Sequence, residues 1–471
     1  MKRYSAFVLG AVLATAACKD NPVANPENAP TTDAIAGAIT RTSLQTLAIG
    51  VLAQDRTAVT STFTFYTLSE IYARDAYRID ASEPRYVTET IGGQPDPSSF
   101  AGGGGWTAFY TAIRAATGLI EGLPNASTSA ISANENKASL GFIKTIKALD
   151  YMRLVELRDS IGVSIQASDP AEVTPISCKP TVLTYIAALL DSGLTDLQAA
   201  GNTTVLPFKL PSGFTAFGRN YGVVSNIILF NRALKGKNDF YRAISRQGGQ
   251  PALLATAIAE LTQALGGAAP GAVPASQFTV GPYYVFIPAG SEAAPNPIAD
   301  ARLGLNPKFR DSIQAGDTRA SKIVSRSQLT FTIDPRVTTN ITYVGAVFSA
   351  ANQARPVGII RDEEVVLLRA QAEIEASQFA AATADINSVR TTYGLAAIPT
   401  ITSITEGRSR VLYEKRYSLV FEGDQRLVDL RAYGYLREPY ITKELPADPF
   451  NSAFPIPVGE RDARGGDFAC Q

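Results

Sequence analysis

The densest set of groups capable of chemistry lies near the C-terminus, where Glu414, Arg416, Glu422, Asp424, Arg426, Asp429 and Arg431 crowd one short segment. A pair of carboxylates is the machinery of glycoside hydrolysis, provided an apolar setting keeps one of them protonated. No such setting surrounds any of these carboxylates in the sequence, and arginines alternate with them. A planar guanidinium takes a carboxylate through two parallel hydrogen bonds. This composition therefore points to a structural lattice of Glu414, Arg416, Glu422, Arg426, Asp429 and Arg431, locking two helices around a tight turn at Gly423. Other catalytic chemistry is excluded more directly, because the chain has no histidine. That removes Ser-His-Asp and Cys-His nucleophiles, HExxH zinc sites and histidine pH switches. With only three cysteines, a tetrahedral zinc site is not expected either, and neither metal nor cofactor is called for.

Binding without catalysis needs faces rather than nucleophiles. Tyrosine offers a rigid face with a polar handle, which suits carbohydrate. The candidate ligand-binding residues are Arg85 and Tyr86, beside a Gly/Pro stretch, and Tyr283, Tyr284 and Phe286, which follow Gly281-Pro282. The competing reading is that these aromatics pack their segments onto the scaffold. Trp106, the one tryptophan, follows four glycines, with Tyr110 and Ile113 at i+4 and i+7. That spacing favours a buried helix start over a sugar platform. Gly102 to Gly105 is not a phosphate loop, since no Gly-Lys-Ser/Thr follows.

The elements that must position these groups are mostly helical. Phe142, Ile146 and Leu149 share one face within 138–158, and Leu183, Ile186 and Leu190 share another within 181–199. Further helices are expected at 221–234 and 252–265. The clearest pair spans 362–390, with Leu367, Ala370 and Ile374 on the first helix and Phe379, Ala382, Ile386 and Val389 on the second. Ser377-Gln378 turns the chain between them, and Gly394 suits a left-handed cap. Small residues at the contact resemble one tetratricopeptide unit, which needs neighbours to bury its faces. Two stretches break the pattern: 78–105 and 266–360 are rich in Gly and Pro, the latter with β-branched runs at 329–333 and 341–344. They read as long inserts on a helical scaffold, the second with a few short strands.

The chain opens Met1-Lys2-Arg3, followed by an apolar run from Ala6 to Ala17 that is too short to span a bilayer. Residues 1–17 read as a signal peptide, and Cys18 after Ala16-Ala17 resembles a lipobox cysteine, although Thr15 stands where Leu or Val is usual. Residues 18–33 then form a lipidated, proline-rich tether, and 34–471 a single domain. The charge is balanced, 43 basic against 43 acidic residues, so no nucleic-acid partner is expected. Outside the cytoplasm Cys178 and Cys470 could pair, although spacing alone cannot supply the geometry.

Three segments together carry a family resemblance. They are Gly105 to Glu121; the pair at 362–390, with Asp-Glu-Glu-Val-Val-Leu-Leu-Arg-Ala-Gln-Ala-Glu followed by Ala-Asp-Ile-Asn-Ser-Val-Arg; and Val411 to Arg431, followed by Phe454-Pro-Ile-Pro-Val-Gly-Glu460. They resemble the SusD/RagB family of outer-membrane nutrient-binding lipoproteins. Glu414, Arg416, Phe421, Glu422, Gly423, Arg426, Asp429, Leu430 and Arg431 match its C-terminal motif; Ser418 stands where Glu is frequent. The resemblance implies a mostly α-helical domain of tetratricopeptide-like pairs. It also implies a non-enzymatic, lipid-anchored and surface-exposed protein of the outer membrane. Such a protein captures oligosaccharides, or in some members peptides, for a TonB-dependent, SusC-like transporter.

Overall fold

The structure, a computed structural model, describes residues 39–60, 64–167, 169, 172–289, 294–300, 302–325, 343–345, 352–466 and 469–471. The expected leader, tether and Cys18 lie outside them, as does the run at 329–333.

The scaffold is a succession of helix contacts in chain order. Helix α1 (Arg41–Thr60) turns Leu44, Ala48, Val51 and Leu52 inward onto α2 (Trp106–Gly122), which packs on α3 (Ala133–Arg158). Contacts then pass through α4 (Lys179–Ala200), α5 (Val224–Ala243) and α6 (Leu253–Ala264) to α7 (Asp362–Glu375). Helix α7 packs on both α8 (Phe379–Thr392) and α9 (Ile404–Ser418), and α10 (Gln425–Ala432) follows. Each helix buries its stripe against the next, which is how repeat units without a core of their own become stable. The mostly helical fold class read from the sequence is the one observed.

Local chemistry sets the boundaries. Helix α3 begins before the expected residue 138 because Ser132 caps it: its Oγ accepts from the Glu135 N–H (3.3 Å) while its own N–H donates to Glu135 Oε2 (2.9 Å). From Ala138 onward α3 is buried almost all round, which marks it as the central helix. It crosses α4 so closely at Gly141 that a Cβ there would stand 2.5 Å from Leu197 Cγ and 2.7 Å from the Gly193 carbonyl. Helix α5 continues past the expected 234 through a polar stretch. Those charges are satisfied internally, with Lys235 2.8 Å from Asp239 and Lys237 3.3 Å from Glu364. Between α7 and α8, Ser377 adopts φ 59°, and Gly394 follows α8 at φ 81°.

Short strands lie in and beside the two inserts. Strand β1 (Ala76–Arg78) lies at the mouth of the first insert. Strands β2 (Val163–Ser164) and β3 (Ile176–Ser177) pair between α3 and α4. In the second insert lie β4 (Tyr283–Tyr284), β5 (Leu303–Leu305), β6 (Ile323–Ser325), β7 (Tyr343–Gly345) and β8 (Val357–Gly358). β1 pairs antiparallel with β5, aligning Tyr77 with Gly304, so the two inserts are stitched together. β4 pairs with β8 and β6 with β7. At the C-terminus a disulfide joins Cys178 to Cys470, and Gln471 exchanges backbone hydrogen bonds with Cys178 (3.0 Å) and Ile176 (2.9 Å). Among the described residues no helix is long and apolar enough to cross a membrane.

Candidate functional site

The charged C-terminal segment comes first, because it held the densest chemistry. Its members reach outward to distant partners. Glu414, fully buried, sits between Arg319 (2.7 Å) and Arg390 (2.6 Å). Burial pushes its carboxyl up, and the two guanidiniums pull it back only in part. Arg416 grips Asp75 with Nε 3.0 Å from both carboxylate oxygens, and Arg426 approaches the same Asp75 at 3.6 Å. Glu422 receives the fork of Arg361 at 2.6 and 2.9 Å. Asp429 accepts from Lys415 (2.7 Å), the Tyr241 hydroxyl (2.8 Å) and the Gln371 amide (3.0 Å). Arg431 donates to the carbonyls of Ser452 (2.7 Å) and Glu156. The expectation of a lattice closed within the segment is therefore corrected. Of these pairs, Lys415–Asp429 ties α9 to α10, and the others tie the segment to remote parts of the chain.

The turn between those helices includes Gly423, at φ 157°, and a second residue at positive φ. Phe421 takes φ 61°, an uncommon conformation for a bulky residue. Its ring is buried and its N–H donates to Glu70 Oε1 (3.2 Å), so the surroundings hold it there.

The structure corrects the expectation of open aromatic faces at three positions. Tyr86 is only 6% exposed, with the Arg78 guanidinium 4.3 Å above its ring and Phe100 4.6 Å away. Tyr284 is 3% exposed, and its hydroxyl donates to Asp55, 2.8 Å from Oδ2 and 2.9 Å from Oδ1. Phe286 is buried as well. The inserts lie down on the scaffold, where a buried carboxylate takes the Tyr284 hydroxyl and apolar surface takes the rings. Trp106 is likewise buried, 4.9 Å from Tyr110, as an anchor for the start of α2. Arg85 is half exposed, forked onto Glu83 and 5.0 Å from the Phe100 ring.

Tyr283 is different. Successive strand residues face opposite ways, so while Tyr284 points into the core its neighbour points out. One face of Tyr283 stacks on Phe217 (4.2 Å, 24° between planes), and its hydroxyl donates to the Thr279 carbonyl (2.7 Å). It lines a cavity of about 340 Å³ between the second insert and the C-terminal segment, together with Asn296, Lys322, Arg355, Tyr393 and Glu422. Each wall is fixed. Tyr393 donates its hydroxyl to Glu363 (3.1 Å), and Asn296 donates its amide to the Arg355 carbonyl (2.8 Å). Lys322 Nζ donates to the carbonyls of Tyr417 (2.8 Å) and Ser418 (2.6 Å), and burial lowers its pKa to about 8. Two tyrosines flanked by an amide, a guanidinium and an amine can hold a polyhydroxylated ring by packing and hydrogen bonding. Glu422, the carboxylate lining this cleft, is already forked by Arg361.

Of the candidate residues read from the sequence, Tyr283 lines this cleft; Asn296, Lys322, Arg355 and Tyr393 line it too and were not among them. Tyr393 offered a signal, an aromatic directly before a helix-capping glycine, but it read only as a helix end. Glu422 was read as structural and also borders the cleft.

No family model matches the sequence, and no curated protein matches it. Solved structures do match in fold. A SusD superfamily protein from Bacteroides fragilis NCTC 9343 superposes with a TM-score of 0.66 at 16% identity, covering 90% of this chain and 97% of that one. The NanU protein of B. fragilis gives 0.65 at 16% identity over 94% and 98%. A laminarin-binding SusD-like protein gives 0.59 at 17% identity over 88% and 96%.

Proposed function

We propose that this chain, which has the SusD-superfamily fold over nearly its whole length, is a nutrient-binding protein that captures oligosaccharides without altering them. The Tyr283 cleft carries the reading: it is an open, aromatic and polar cavity whose one carboxylate among the described residues is already paired. The likeness to a protein described as laminarin-binding supports carbohydrate as the ligand class. Arg85, half exposed on the first insert, is a further candidate contact. The leader, residues 1–17, with Cys18 directly after it, supports a lipid anchor in the outer membrane with the domain outside. A TonB-dependent, SusC-like transporter is the partner that would receive the ligand.

Calorimetric titration against a glycan panel tests this. Tyr283→Ala is expected to weaken glycan binding by about 1–3 kcal/mol, in the manner of an aromatic contact residue. Its melting temperature should change little. Wild-type protein that binds peptide pools and no glycan would replace oligosaccharide with peptide as the cargo. Release of reducing ends from a glycan would make the protein a hydrolase instead.

A further inference from the structure

A second cavity, of about 420 Å³, is lined in part by α10 and shares no lining residue with the Tyr283 cleft. Among the described residues, four cationic side chains, Lys179, Arg246, Arg431 and Arg437, line it against one carboxylate, Asp159. That carboxylate is already committed, with Lys179 Nζ at 2.5 Å and Arg431 Nε at 3.9 Å. Arg431 spends its remaining donors on backbone carbonyls. Arg246 and Arg437 are both exposed and pair with no carboxylate among the described residues. Arg246 lies against the bare backbone of Gly434, where a Cβ would stand 3.0 Å from its Nη1. Arg437 donates from Nε to the Gly434 carbonyl (3.0 Å), which fixes its direction. In a chain of balanced charge, two guanidiniums over one cavity that no described carboxylate pairs are a local surplus.

Beside them stands an aromatic stack. The Arg437 guanidinium is 5.3 Å from the centre of the Tyr440 ring, and Tyr440 stacks on Tyr435 at 3.8 Å with planes 12° apart. Tyr440 is 45% exposed and stands beside the cavity, outside its lining residues.

We propose that this cavity is a second saccharide site, selective for sugars bearing a carboxylate. The pyranose ring would lie on Tyr440 while the carboxylate takes bidentate hydrogen bonds from Arg437 or Arg246. The inference rests on the glycan-capture reading and assigns the class of glycan.

The test is calorimetric titration with tri-galacturonic acid and, as its neutral counterpart, galactotriose. Wild-type protein is expected to bind the acidic trimer more tightly, with affinity falling steeply as NaCl is raised. Arg437→Gln and Arg246→Gln should each weaken that binding at least tenfold, Tyr440→Ala should weaken it too, and Tyr283→Ala should leave it unchanged. Melting curves identify any variant that fails to fold, and the two arginine variants serve as independent checks. Equal affinity for the two trimers, or unchanged acidic binding in both arginine variants, would overturn the proposal. Binding of neutral glycans through Tyr283 with no acidic binding would sink this inference alone. Binding of no glycan at all would sink the glycan reading as well.

Discussion

Glu373 on α7 is 1% exposed, yet the neighbouring cation is committed elsewhere: Arg369 forks Asp385 at 2.7 and 2.9 Å and stands 4.0 Å from Glu373. Burial, reinforced by the charge of Asp385, lifts the Glu373 pKa to about 8. A carboxyl raised on folding binds its proton more tightly in the native state. Its contribution to stability is therefore complete below the unfolded value near 4.5 and is lost as pH rises toward 8. Each pH unit in that interval is worth about 1.4 kcal/mol at most. Glu373→Gln is expected to flatten the decline of melting temperature between pH 5 and 8 and to exceed wild type at pH 8. An unchanged slope would show that Glu373 is ionised in the native protein. At this scale the sequence was half informative. The Arg-rich character of the 414–431 segment pointed to paired carboxylates, which holds for Glu414, Glu422 and Asp429 but not for Asp424, whose burial lifts its pKa to about 8. The identity of the partners was hidden, since Arg416 and Asp75 lie 341 positions apart and Arg319 and Glu414 lie 95 apart.

Helices were more legible than strands, for a physical reason. A helix of several turns repeats its apolar stripe often enough to be read, and α7 with α8 did so. A strand of two residues shows no period, so nothing distinguished outward Tyr283 from inward Tyr284 before β4 was seen against β8. The hydrophobic stripe also says little about how closely two helices approach. The α3–α4 crossing depends on Gly141, and Gly141→Ala would drive a methyl into Leu197 and the Gly193 carbonyl. Overpacking of this kind costs about 1–3 kcal/mol, and chemical denaturation should register it as a lower midpoint with unchanged slope. Alanine's better helix propensity works in the opposite direction and is worth less than about 1 kcal/mol. A net gain in stability would mean the helices separate freely at this point.

The helices form one chain of neighbours from α1 to α9, with the inserts laid across it, and that architecture followed from repeated helical pairs and their need for stacking partners. The membrane anchor is a claim about the molecule as an object: Cys18→Ala should abolish lipid labelling and release the protein from membranes, and a variant that stays with the outer membrane would refute lipidation there. The disulfide acts on the whole chain, bridging residues 292 positions apart. Its reduction is expected to lower unfolding free energy by roughly 2–5 kcal/mol, read from melts with and without dithiothreitol. Unchanged melts would mean the tail is held by its backbone hydrogen bonds alone. The same bridge turns most of the polypeptide into a closed ring. A protease that cuts one exposed loop between Cys178 and Cys470, in the second insert for example, opens the ring without dividing the molecule. The severed halves stay covalently joined until a thiol is added, so the nicked protein migrates as a single species in a denaturing gel and separates into two only under reducing conditions.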